Sequence, residues 1–412
     1  MKSVIYLKGG EIMIVNRIES EVIRKNHPLW STIDKMCFNA KNLYNYANYI
    51  IRQEYIKNGR YIPYREMNFN LKTHQEYKDC MSQPANCILR LLDKNWKSYF
   101  RSIKEYEKNP QKFLGEPHIP KYLKKNGRYN WMIPNNVCYF ENGELKFRMR
   151  KLQSIRWKSR CIGRLIQVRF IPKGSVYVME IISEVTILEK PSESKRIMGI
   201  DLGINNLATT SNNIGVQPFI INGRGLKSIN QFYNKRKSQL QSQLPKGKTW
   251  SKQLDNITFK RFNRIKNYMH NTSHYIIKWC VENQIDTIVI GHNKKWKQSV
   301  NLGKINNQTF VNIPYEILIQ QVKYKCDDYG INFVETEESY TSGTSFLDGE
   351  LPCKENYNKK RRIKRGLFQS LETLINSDVN GAYQIIKKVF PNAFSYGIEA
   401  CLTPTIINAC LI

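Results

Sequence analysis

Arg196-Ile197-Met198-Gly199-Ile200-Asp201-Leu202-Gly203 ends a short apolar strand in a carboxylate and then a glycine. That order presents an acid at the carboxyl edge of a sheet, with a flexible turn behind it that admits a ligand. Far downstream, Asn376-Ser377-Asp378-Val379-Asn380-Gly381-Ala382 presents a second acid where a helix begins. An acid in a first helical turn is favoured by the helix dipole, and Asn376 or Ser377 can cap that turn. In a chain with formal net charge +31, two acids held in this way suggest a metal site that cuts nucleic acid.

The chain has 412 residues, more than one core usually holds, so two or three domains are expected. It carries 65 basic against 34 acidic residues, an excess that destabilises a compact protein unless a polyanion binds it. Its 24 tyrosines supply flat surfaces that stack on bases or pack a core. No run of about 18 consecutive apolar residues marks a membrane span. Met1 to Asn16 is broken by Lys8, Gly9, Gly10 and Glu11, so a secretory signal is not expected either. The ten cysteines form no C-x-x-C pair and read as reduced thiols of a cytoplasmic protein, without structural zinc.

Along the chain, Glu11 to Val22 alternates like a strand, and Leu29 to about Asn58 turns helical. After Pro84, Ile88, Leu92, Trp96, Phe100 and Ile103 repeat at helical spacing, with Arg90, Lys94, Lys97, Arg101 and Lys104 on a second stripe. That stripe is either a solvated face or a track for phosphates. Val137–Phe140, the Asn142-Gly143 turn and Leu145–Phe147 predict a hairpin, and two more strands flank Pro172-Lys173-Gly174. Nine basic residues and no acid lie between Arg148 and Lys173. A β-barrel around a helical insertion fits this half. From Arg196 the order is three strands, a long helical region, strand, helix, strand and helix, the succession of an α/β fold of the RNase H type. The long region from Arg224 to Lys266 holds twelve Lys or Arg and one acid, Asp255. Phosphate contact is expected there, through Lys235, Arg236, Lys260, Arg261 and Arg264.

Nucleases of the RNase H type hold two divalent metals with three or four carboxylates, and hard cations such as magnesium take oxygen ligands. Asp201 suits the first ligand and Asp378 the last. The usual middle ligand is a glutamate at the end of the fourth strand, but that strand reads Ile288-Val289-Ile290-Gly291-His292-Asn293. The fifth strand ends in Glu335-Thr336-Glu337-Glu338. Neighbouring strands lie only about 4.8 Å apart, so its end can deliver a carboxylate to nearly the same point. Alternation puts Glu335 and Glu337 on one face and Glu338 on the other, and leaves the choice open.

Three motifs, in this order and separation, carry a resemblance: Gly199-Ile200-Asp201-Leu202-Gly203, Glu338-Ser339-Tyr340-Thr341-Ser342, and Asp378-Val379-Asn380-Gly381-Ala382. Through them the whole chain resembles TnpB, the RNA-guided nuclease of bacterial insertion sequences and relative of type V CRISPR effectors. The resemblance implies a RuvC nuclease domain and an N-terminal wedge β-barrel with a helical recognition insertion. The corresponding divisions are 1–28 and 116–194 for the barrel, 29–115 for the insertion, 195–340 and 376–412 for the nuclease domain, and 341–375 for a basic insertion. Most members carry a zinc ribbon in that last stretch. Here Ser345 stands where its first cysteine is expected and Cys353 is solitary, so zinc is not carried over. Seven basic residues between Lys354 and Arg365 take its place, and Arg361, Arg362, Lys364 and Arg365 are expected to touch nucleic acid.

Some branches, and the eukaryotic relatives called Fanzor, have the glutamate moved to the following strand. By that pattern the resemblance implies Asp201, Glu338 and Asp378 as catalytic metal ligands, with Glu337 in reserve. It further implies Mg²⁺ as cofactor, with Mn²⁺ as substitute, and a guide RNA from the transposon end. Target double-stranded DNA is expected to be cut beside a short motif, in the bacterial cytoplasm. A non-cleaving RNA-guided repressor is the rival, because Gly291 could record a dead site. Sugar kinases and actin-like ATPases share the opening phrase but need a second glycine-rich phosphate loop, which this chain lacks.

Overall fold

The computed structural model describes residues 3–7, 10–153, 155, 157–161, 163–187, 190–293, 313–364, 366–394 and 403–409. Arg365, one of the expected contacts, lies outside the described residues. The chain forms two compact units, one of residues 1–3 and 14–186 and the other of 4–13 and 187–412. The α/β class holds, and among the described residues no helix is long and apolar enough to cross a membrane.

Strands β1 (Ser3–Leu7), β2 (Gly10–Ile23), β3 (Trp131–Pro134), β7 (Arg164–Lys173) and β8 (Val176–Thr186) make a five-stranded sheet in the order β1-β2-β8-β7-β3. Apart from most of β1 and the start of β2, this sheet belongs to the first unit. A smaller sheet joins β4 (Cys138–Glu141), β5 (Glu144–Phe147) and β6 (Trp157–Lys158). Asn142 (φ 51°) and Gly143 (φ 75°) make the tight turn between β4 and β5, where two successive left-handed residues match the twist of the strands.

Between β2 and β3 the chain runs through α1 (Trp30–Asn58), α2 (Tyr64–Leu71), α3 (Gln75–Cys80) and α4 (Ser82–Lys108). Helix α4 starts two residues before Pro84, which sits in the first turn, where a missing N–H breaks no helical hydrogen bond. Ile88, Leu92 and Trp96 are buried along one face, as their spacing requires, while Arg90, Lys94, Lys97 and Arg101 are exposed on the other. Trp96 is fully buried, and its indole N–H donates to Asn48 Oδ1 at 3.0 Å. Its role is core packing.

The second unit is built on a six-stranded sheet in the order β13-β12-β9-β10-β11-β16. Its strands are β9 (Ile197–Leu202), β10 (Asn206–Asn212), β11 (Phe219–Asn222), β12 (Thr287–Gly291), β13 (Asn332–Thr336) and β16 (Thr405–Ile407). β9 is central, antiparallel to β10 and parallel to β12, which is parallel to β13. Helices α5 (Arg224–Ser242), α6 (Lys252–Glu282), α7 (Tyr315–Asp328) and α8 (Ser377–Val389) complete the unit, with a hairpin of β14 (Leu367–Gln369) and β15 (Leu374–Asn376) just before α8.

Alternation along β9 decides what faces what. Met198, Ile200 and Leu202 join Met269, Ile276, Leu318 and Val322 of α6 and α7 in one core. Ile197 joins Val289, Ile385 and Ile386 of β12 and α8 on the opposite face. Gly199 lies on that second face, and α8 comes so close that a Cβ there would stand 2.3 Å from the Ala382 carbonyl oxygen. The same alternation carries Asp201 to the α8 side.

Replacing Trp96 by alanine is expected to cost about 3–5 kcal/mol of stability, the usual loss for a buried tryptophan. Chemical denaturation of the variant measures it. Unchanged stability with weakened nucleic-acid binding would instead make Trp96 a contact residue.

Candidate active site

Asp201 enters from the end of β9, Glu338 from the loop after β13, and Asp378 from the first turn of α8. All three line one cavity of about 720 Å³, where they are the only acids among its described lining residues. Each position has a local cause. β9 is held on both sides by other strands, so its end is rigid. The start of α8 is fixed by Asn376, whose side-chain oxygen accepts from the N–H groups of Asp378 (2.9 Å) and Val379 (3.2 Å). Gly381, one turn on, lets the helix lie against Asp201: a Cβ there would be 3.1 Å from Asp201 Oδ2.

Glu338 stands where its neighbours leave room. A Cβ on Gly291 would lie 2.7 Å from Glu338 Cγ, 3.0 Å from Glu338 Oε1 and 2.5 Å from Ile385 Cδ1. The volume that a side chain at 291 would occupy is therefore filled by the glutamate two strand-widths along the sheet from β9. Strand β13 ends at Thr336, so the alternation that left the choice of glutamate open no longer applies at 337 and 338. Glu338 turns into the cavity, whereas Glu337 is exposed and absent from the described lining.

The electrostatics fit a cation site. Asp201 is partly open to the cavity but deep in the protein. Burial first, then the charges of Glu338 and Asp378, push its carboxyl well above the usual range, against the pull of Arg362. Burial pushes Glu338 up to about 7, with the Lys388 charge opposing. Glu338 Oε1 is buried with no hydrogen-bond partner, an orphaned oxygen of the kind a hard cation would satisfy. Asp378 is occupied by protein groups: Asn206 Nδ2 donates to Oδ2 at 2.7 Å and Arg362 Nη2 donates to Oδ1 at 3.0 Å. Among the described residues, no three His, Cys, Asp or Glu side chains are already drawn together as a metal cage. The donor set is all carboxylate oxygen, the kind that a hard cation such as magnesium takes.

The basic residues expected to bind nucleic acid divide sharply. Arg362 reaches into the site and also donates to Ser377 Oγ at 3.1 Å. Its neighbour Arg361 is consumed structurally, pairing with Glu350 at 2.9 Å and Asp348 at 3.3 Å, and it is only 20% exposed. Arg261 is likewise turned inward, donating to Asn230 Oδ1 at 2.7 Å and lying over the Tyr233 ring. Lys235, Arg236, Lys260, Arg264 and Lys364 are exposed. Arg90 lies over the Tyr64 ring and Lys97 pairs with Asp93 at 2.7 Å, both remaining exposed. Asn206, Arg224, Asn293, Thr341 and Ser342 also line the cavity and were not singled out from sequence. Thr341 and Ser342 stand in a recognisable motif, whereas the other three carry no local signal.

Residues 176–297 match the family model OrfB_IS605, described as a probable transposase, and residues 315–385 match that of the Cas12f1-like TNB domain. No curated protein matches. Among solved structures, a Cas12f1–sgRNA–target DNA complex is similar at 15% identity and TM-score 0.38, over 90% of this chain and 98% of that one. A CRISPR-Cas12f ternary complex gives 13% and 0.37, over 86% and 80%. CasPhi-2 (Cas12j) bound to crRNA gives 8% and 0.39, over 90% and 98%.

Two outcomes follow from the geometry. Gly291→Glu alone is expected to disrupt the site by overpacking, whereas adding Glu338→Ala removes the part of the clash that Glu338 makes and leaves only that with the movable end of Ile385. Thermal melting compares them, and a single variant as stable as the double would contradict the shared volume. The second outcome concerns pH. Because the folded pKa of Glu338 is raised, its contribution to stability is full below the ordinary carboxylate value of 4.5 and lost as pH rises through about 7. Without divalent cations the melting temperature should fall across that window. Glu338→Gln should flatten the fall, and added Mg²⁺ should reverse it at the upper end.

Proposed function

We propose that this chain, whose residues 176–297 and 315–385 match the OrfB_IS605 probable-transposase and Cas12f1-like TNB models, is a TnpB-family protein and an RNA-guided DNA endonuclease of a transposable element. The observation that carries the reading is the meeting of Asp201, Glu338 and Asp378, from three separate elements, on one cavity. In this reading the second unit is a RuvC nuclease domain of the RNase H type, and its sheet order, with the central β9 flanked by β10 and β12, supports that.

Magnesium ions bound by these carboxylates supply an activated water and stabilise the charge that develops on the cleaved phosphate. Asp201, Glu338 and Asp378 would hold the ions, and Mn²⁺ would substitute for Mg²⁺. Arg362, now paired with Asp378, offers a planar fork that suits a phosphate equally well. It can therefore exchange a carboxylate for the backbone of the strand being cut. Arg224 and the hydroxyls of Thr341 and Ser342 border the same space and orient that strand.

In this reading the antiparallel strands of the first unit correspond to the wedge domain and α1–α4 to its recognition insertion. They hold an RNA from the transposon end and the guide–target duplex, reading shape and phosphates while base pairing reads sequence. Exposed Arg90, Lys94, Lys97 and Arg101 on α4, and Lys235, Arg236, Lys260 and Arg264 on α5 and α6, take phosphates. A short motif beside the target is read by the protein itself. Gly291 favours the repressor reading only if its missing carboxylate has no replacement, and Glu338 occupies that space.

Protein expressed with its own locus is expected to co-purify with a defined RNA ending in a variable guide. With Mg²⁺ it should cut matching double-stranded DNA. Asp201→Ala and Asp378→Ala should each lose cutting while keeping the RNA. Full cutting by both variants would sink the nuclease assignment, and specific binding without cutting by the wild type would establish the repressor.

A further inference from the structure

Glu338 differs from the other two acids in what holds it. Asp201 is carried by a strand and Asp378 by a helix, but Glu338 lies beyond the end of β13 in a loop. That loop also contains Tyr340 at φ 68°, a left-handed conformation that disfavours a bulky side chain by about 1–3 kcal/mol. A loop of this shape keeps its place only if its surroundings impose it.

The contacts that impose it are specific. The Glu338 N–H donates to Asn293 Oδ1 at 2.9 Å, and the Thr341 hydroxyl donates back to the Glu338 carbonyl at 2.8 Å. These tie down one side. On the other side, Lys388 donates from its ammonium to the Ser339 carbonyl at 3.0 Å and to Ser339 Oγ at 2.7 Å. Lys388 stands in the last turn of α8, ten residues after Asp378 on the same helix. At 1.5 Å per residue the two are about 15 Å apart along a rigid rod. A lysine in a last helical turn is ordinarily explained by the helix dipole. Here both of its recorded hydrogen bonds go to the residue after Glu338 rather than to carbonyls of its own helix.

We infer that Lys388 is a positioning residue: through Ser339 it fastens the Glu338 loop to the helix that carries Asp378, so that one helix sets the spacing of two of the three acids. The inference rests on the nuclease reading of this site. It gives α8 work at both ends, an acid at the start and a clamp at the finish. It also explains how a loop can serve where the usual ligand comes from a strand.

The test compares Lys388→Met, which keeps the aliphatic stem, with Lys388→Arg, which keeps a cationic donor. Mn²⁺ binding to the protein is followed by electron paramagnetic resonance, and single-turnover cutting is measured with RNA and target prebound. Lys388→Met is expected to weaken Mn²⁺ binding and slow cutting by about 10- to 100-fold, the usual cost of losing a group that orients a metal ligand. Melting temperature and target affinity should be unchanged, and Lys388→Arg should recover most of the loss. Wild-type Mn²⁺ affinity in Lys388→Met overturns the inference. So does a loss of melting temperature and target binding in step with cutting, which would make Lys388 a general stability residue. Wild-type protein that binds Mn²⁺ but fails to cut would count against the nuclease reading, while the Mn²⁺ titration still decides the role of Lys388.

Discussion

The approach of helix α8 to strand β9 is the constraint on which the second unit depends. A helix usually rests on a sheet through side chains, and here one of those side chains is missing. At Gly199 the backbone of α8 comes nearer than any Cβ allows, with the Ala382 carbonyl and Ile386 taking the space. That contact brings the first turn of α8 over the end of β9, and Gly381 removes the last obstacle between helix and Asp201. Two acids some 180 residues apart in sequence meet because two glycines allow it. The loop from Thr344 to Glu350 then grips the helix: Asn380 exchanges hydrogen bonds with the Thr344 carbonyl and the Phe346 N–H, and Gln384 donates to the Glu350 carbonyl. Asn380 is satisfied through both its amide oxygen and its amide nitrogen, which is what lets a polar side chain stay buried there.

Gly291 extends the same logic to the third acid. Its missing side chain leaves a space that the loop after β13 fills with Glu338. A side chain at 291 would meet Glu338 Cγ at 2.7 Å, so a residue larger than glycine there requires Glu338 to shift. Such coupling is a property of shared volume rather than of either residue alone.

The parts of this arrangement legible in the sequence were those with local causes. Asp201 announced itself through an apolar strand that ends in an acid, and Asp378 through the cap at Asn376. The hairpin at Asn142-Gly143 follows from residues that tolerate left-handed backbone. Glu338 was reached by resemblance, because alternation loses its meaning once β13 ends at Thr336. Helices α2 and α3, of eight and six residues, are too short to show a periodic stripe, and β16 adds three residues from the far end of the chain to the β11 edge. Arg361 and Arg362 show the limit most clearly. Side by side they read as one basic run, yet one is spent on Asp348 and Glu350 and the other enters the site.

The acids also pose a problem that the overall charge of +31 does not solve. At physiological salt, charges beyond about 8 Å are largely screened, so repulsion among three half-buried carboxylates must be met locally. Local groups meet it unevenly. Asp378 has Asn206 and Arg362 as hydrogen-bond partners, whereas Asp201 receives the more distant pull of Arg362 and a backbone hydrogen bond at Leu202, and Glu338 keeps an oxygen with no partner among the described residues. A network serving only stability would be expected to satisfy each member, since a half-satisfied buried network is costlier than none. The shortfall falls on the two acids whose carboxyls are pushed upward, and in the proposed reading those are the groups that would gain most from a divalent cation. In that reading incomplete compensation would give the cavity its affinity, with Arg362 as the charged partner that would exchange Asp378 for a phosphate.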